Sequence, residues 1–77
     1  MFELLKNTTE VLVFKTNIGA DDKERILTLL QAQNFVKEAS IDLEDCDRVL
    51  RIVGDDVTTN RIIDLITEEG FICEELI

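Results

Sequence analysis

A four-stranded antiparallel sheet with two helices on one face, an α+β sandwich, is the fold this 77-residue chain predicts. Three observations predict it. Ile26, Leu29 and Leu30 recur at helical spacing, and so do Ile62, Leu65 and Ile66. Short runs rich in β-branched and aromatic residues stand before and after each of these segments. The two middle runs are separated only by an acidic turn, Glu44-Asp45-Cys46-Asp47, as in a hairpin. The order is strand, helix, strand, strand, helix, strand. One sheet covered on one face buries both helix stripes most simply, which is the ferredoxin-like βαββαβ sandwich.

Each element has its own signal. Val11-Leu12-Val13-Phe14 is a continuous apolar run with the look of a central, buried strand. Asp21 stands three residues before Glu24, the spacing of a capping box, so the first helix is expected to start there. Ile26, Leu30 and Gln33 lie on its inner side, Leu27 widens the stripe, and Asn34 is placed to end it in a left-handed conformation. Val36, Ala39, Ile41 and Leu43 form the second strand, and Val49, Leu50, Ile52 and Val53 the third. Gly54-Asp55-Asp56 is read as a break. Thr58 or Thr59 caps the second helix, Ile63 edges its stripe, and Gly70 sits where a helix end favours positive φ. Phe71-Ile72-Cys73 is the expected last strand. Residues 1–10 precede the pattern as an N-terminal extension and residues 11–77 form the domain. Phe2, Leu4 and Leu5 suggest that the extension packs on the body, and Asn7-Thr8-Thr9 reads as a turn.

Composition excludes several functions. At this length one small domain is expected, burying roughly 60% of its unfolded surface. The net charge of −9 and the scatter of the eight basic residues argue against nucleic acid and anionic lipid as partners. With neither Trp nor Tyr, the chain also lacks a stacking platform for single strands. No apolar run approaches the ~20 residues a membrane helix needs, and the first residues lack a signal-peptide pattern, so a cytoplasmic location is expected. Cys46 and Cys73 suit a reducing compartment, and their spacing suggests no disulfide framework. There is no histidine, no Ser or Cys with an activating partner and no phosphate-cradling glycine loop, so no enzyme is expected.

From residue 11 onward the chain resembles the heavy-metal-associated domain. The resemblance is carried by Val57 through Phe71, with its Ile62-x-x-x-Ile66-x-x-x-Gly70-Phe71 run, by the Val36–Leu43 strand, and by a first helix aligned without a gap on Ile26 and Leu30. These are packing positions. In that family the first turn holds a Cys-x-x-Cys pair whose thiolates bind a soft ion such as copper(I). The two places fall here on Gly19 and Asp22, and Asn17 stands where the family often has Met. The resemblance therefore implies the fold together with a degenerate metal site, without cofactor, and soft-metal binding at this turn is disfavoured.

Two kinds of candidate site remain. The fold would bring the first turn, the hairpin tip and the turn before the last strand to one end of the sheet. Asp21, Asp22, Glu44, Asp45, Asp47, Glu68 and Glu69 would make that end acidic. It could dock a basic protein, or it could be the solvated rim of an acidic protein, with Asp21 and Asp22 serving the helix start. Asp21, Asp22 and Cys46 are weak candidates for holding a metal ion. Cys46, at the hairpin tip, is expected to be exposed but a poor nucleophile beside two acids, and Cys73 is expected in the core. The primary expectation is thus a non-catalytic interaction module whose partner is a protein or a second copy of itself at a sheet edge. The alternative is a metal-handling protein that uses carboxylates or Cys46 at a relocated site, and a small-molecule sensor ranks third.

Overall fold

The computed structural model describes residues 9–76. Its elements are β1 (Thr9–Thr16), α1 (Ala20–Gln31), β2 (Val36–Asp42), β3 (Val49–Asp55), α2 (Thr59–Glu68) and β4 (Cys73–Glu75). The four strands form one sheet in the order β2-β3-β1-β4, and every neighbouring pair is antiparallel. Each helix therefore links two parallel strands across an intervening antiparallel one. This is the ferredoxin-like α+β fold.

Alternation along the strands explains where the core sits. Leu12, Phe14 and Thr16 of β1 point to the helices, as do Leu50, Ile52 and Gly54 of β3. With Ile26, Leu30, Ile62 and Ile66, all fully buried, they close a single core. Ile18 and Val57, which no periodic pattern marks, are buried there too. The continuous run Val11–Phe14 is central but, among the described residues, is covered on one face only, Val11 being 53% exposed on the other. In β2, Val36 and Ile41 are five residues apart yet both buried, which strict alternation forbids. The register shift between Val36 and Glu38 resolves this, because the bulge absorbs one residue and restores the phase.

Several boundaries differ from the sequence expectation. β1 starts at Thr9, two residues earlier, because Thr9 and Glu10 pair with Asp55 and Gly54. Solvent-facing polar residues give no alternation to reveal that pairing. The Thr9 hydroxyl donates to Asp55 at 2.8 Å, and Lys37 lies 3.4 Å from the same carboxylate. The Thr9 hydroxyl above all holds the Asp55 carboxyl below its usual pKa, against an opposing effect of burial, with the Lys37 charge and its hydrogen bond adding to the lowering. The expected packing of Phe2, Leu4 and Leu5 and the turn at Asn7-Thr8 lie outside the described residues. Gly54 does not break the chain; it is a buried strand residue, and left-handed Asp56, with φ 53°, makes the break one residue after β3. A Cβ at Gly54 would stand 2.0 Å from the Phe35 carbonyl oxygen, so the close approach of backbone admits only glycine.

The helix ends show the same mixture. Asp21 is not the cap of α1: Gly19 occupies that place with extended backbone and no side-chain bond, and Asp21 and Asp22 fill the first turn. There they meet the positive end of the helix directly. Asn34 does not end the helix, which closes at Ala32 in right-handed geometry. Gln33 donates to the Leu29 carbonyl at 3.1 Å instead of joining the apolar stripe. Thr58 caps α2 by accepting from the Arg61 N–H at 3.3 Å. Gly70, with φ 93°, closes α2 in a Schellman motif, Gly70 N–H donating to Thr67 and Phe71 N–H to Ile66. β4 begins at Cys73, so Phe71 and Ile72 belong to the turn before it.

Candidate functional site

The end of the sheet carrying the acidic residues is a tied cluster of three loops. Two aspartates fold the hairpin tip, Asp42 accepting from Glu44 N–H at 3.0 Å and Asp45 from Asp47 N–H at 2.8 Å. The tip is then bonded to β1, since Thr16 N–H donates to the Asp47 carbonyl at 3.0 Å. The buried Thr16 hydroxyl donates to the Arg48 carbonyl at 2.7 Å and accepts from Ile18 N–H at 3.2 Å. Arg48, left-handed at φ 47°, sends its guanidinium back to the Ile18 carbonyl at 3.0 Å. The third loop joins through Asn17, whose side-chain oxygen accepts from Ile72 N–H at 2.8 Å.

Cations thread this end. Arg25 bridges Asp22, at 3.3 Å, and Glu69, joining α1 to the end of α2. Its pKa is raised, first by the hydrogen bond to Glu69 and then by that to Asp22. Lys15 lies 3.9 Å from Asp47. Four of the seven acidic candidates, Asp22, Asp45, Asp47 and Glu69, are thus occupied in building the fold. Asp21, Glu44 and Glu68 have no hydrogen-bonded or ionic side-chain partner among the described residues. They share the end with Ile72, a residue 58% exposed whose backbone N–H is bonded to Asn17.

One group of three potential metal ligands stands together among the described residues. Potential ligand atoms of Asp45, Cys46 and Asp47 lie within 4.8 Å of one another. At the first turn, Gly19 offers no donor, and Asp22 faces Arg25. Cys46 is exposed and Cys73 buried, and both are free thiols. Burial, aided by the Glu74 charge, pushes the Cys73 thiol up to about 11. No helix among the described residues is long and apolar enough to cross a membrane.

Asn17, Arg48 and Ile72 are the site residues that sequence reasoning missed. Each acts through a polar bond to a segment distant in sequence, so periodicity cannot mark it. Comparison with known proteins finds no matching family model, no matching curated protein and no matching solved structure.

Proposed function

We propose that this chain is a non-catalytic, cytoplasmic domain of the heavy-metal-associated type that has lost its soft-metal site and works by docking a basic protein at its acidic end. The observation that carries this reading is exposed Ile72, its backbone N–H bonded to the Asn17 side chain, at the same end as the uncommitted carboxylates of Asp21, Glu44 and Glu68. An apolar anchor beside charges gives a docking surface what a solvated rim lacks. Salt dependence tests it. Affinity capture followed by titration should yield partners rich in Lys and Arg whose binding weakens from low to physiological ionic strength. Ile72→Asp should abolish capture, and Asp21→Asn with Glu44→Gln and Glu68→Gln should slow association. Salt-independent binding that tolerates both changes would refute the reading.

A second reading rests on the Asp45, Cys46 and Asp47 cluster: a relocated site for a divalent ion. Cadmium titration followed by amide NMR would show saturable shifts confined to the hairpin tip and lost in Cys46→Ser. Shifts that never saturate would leave only diffuse attraction to an acidic chain.

A further inference from the structure

The sheet face opposite the helices is covered by nothing among the described residues, and its pattern is legible row by row. In the end row Thr9 pairs with Asp55, and Lys37 lies 3.4 Å from the Asp55 carboxylate. Glu38, Val53 and Val11 form the second row across β2, β3 and β1. Ser40, Arg51 and Val13 form the third, which Leu76 extends by donating its N–H to the Val13 carbonyl at 2.8 Å. Asp42, Val49, Lys15 and Glu74 fall in the fourth. An apolar strip of Val11, Val53, Val13 and Leu76 thus crosses the middle, with Val11 53% and Leu76 38% exposed. Arg51 stands inside that strip with no ion-pair partner among the described residues.

We infer that the occupant of this strip is the chain's own residues 1–8, turned back from Thr9 as a strap. Position is the first argument. The described chain starts at Thr9, in the end row of this same face and at the head of the strand that carries Val11 and Val13. Composition is the second. Four of the first five residues, Met1, Phe2, Leu4 and Leu5, are apolar, and Asn7-Thr8 supplies turn-forming polar residues between them and the sheet. Reach is the third. The first and third rows are four strand residues apart, about 14 Å. Eight residues span up to about 26 Å when extended, so the segment can reverse and still cover the strip. Charge is the fourth. A chain running back over the face brings Lys6 towards Asp55 in the first row and Glu3 towards Arg51 in the third. The two charges of the segment therefore match, in order, an anion and an unpaired cation of β3.

The strap lies on a different surface from the acidic end and does not depend on what docks there. Phe2 makes it testable by methyl NMR on the full chain. Of the other phenylalanines, Phe14 is buried, and Phe35 and Phe71 pack against the core under Arg61 and Arg25. An aromatic signature on the opposite face therefore reports Phe2. Its ring protons should show cross-peaks to methyl groups of Val11, Val13 or Val53 that persist on dilution. Phe2→Ala should remove the ring-current shifts of those methyls and leave the α1 and α2 signals in place. The amides of Val11, Val13 and Val53 should also resist a soluble nitroxide in the full chain and lose that protection in Phe2→Asp with Leu5→Asp. Absence of the cross-peaks, or equal nitroxide sensitivity in the two proteins, would overturn the inference. So would cross-peaks that fade on dilution, because the segment on the strip would then belong to a second copy.

Discussion

Two glycines of this chain answer to different physics, and substitution can tell them apart. Gly54 is held by space: a Cβ would run into the Phe35 backbone, which is not a flexible neighbour. Gly54→Ala should destabilise by about 3 kcal/mol, and every larger residue should be worse. Gly70 is held by backbone alone, because a Cβ there meets nothing within 4 Å but φ is 93°. Gly70→Ala should cost about 1–2 kcal/mol, and Gly70→Asn should recover much of it, asparagine tolerating that region. Denaturant melts of the three variants measure the contrast. Cys73 offers a separate residue-scale check. Its thiol is raised from 9.0 to about 11 in the folded chain, so its neutral form is favoured by folding. The associated stability is complete below pH 9.0 and is lost as pH rises through about 11. Cys73→Ala should flatten that part of the stability profile, and in the native protein thiol reagents should label Cys46 well before Cys73. Equal labelling rates would contradict the burial.

At the scale of elements, the centres of the helix stripes were legible, although Gln33 does not join that of α1. Ile26 and Leu30 of α1 and Ile62 and Ile66 of α2 are completely buried, since 3.6-residue periodicity leaves one side for a core. Truncation of any of the four to Ala should cost about 2–5 kcal/mol, a large share of what a small domain has, and some variants should be unfolded at room temperature. Near-silent melts for Leu30→Ala or Ile66→Ala would mean that the helix faces are misassigned. Strand ends were less legible than strand centres. Thr9 and Glu10 extend β1 without apolar alternation, and the bulge of β2 shows only as a broken period between Val36 and Ala39. Capping was read to within one residue where a side chain does the work, Thr58 rather than Thr59 being the cap of α2, and wrongly at Asp21, where a glycine precedes the helix and the carboxylate only faces its positive end.

For the whole molecule, the proposed degeneracy of the metal site can be tested by restoring it. Gly19 has extended backbone, φ −99°, and a Cβ there would meet only the tip of Arg48 at 3.4 Å. The double change Gly19→Cys with Asp22→Cys should therefore fold and place two thiols at the start of α1. It should gain tight copper(I) binding in a competition titration that the unaltered chain loses. A folded double variant without that gain would withdraw the heavy-metal-associated register. Bulk charge gives a second check. With net charge −9, added salt should raise the melting temperature by screening self-repulsion, although it also weakens the Arg25 bridges.

The sequence by itself determined the element order, the two helix faces and the sheet they require, because apolar periodicity is local and burial must satisfy it. It also supplied the acidic residues of the three end loops. Only the tertiary structure decided what those carboxylates do. Asp45 folds a turn, Asp22 and Glu69 hold Arg25, and Asp21, Glu44 and Glu68 are left uncommitted among the described residues, because each role depends on a partner brought close by the fold. The same holds for Val11 and Val53. Their apolar character reads as core in one dimension, yet among the described residues the sheet is layered on one face alone, and that leaves them side by side on its other surface.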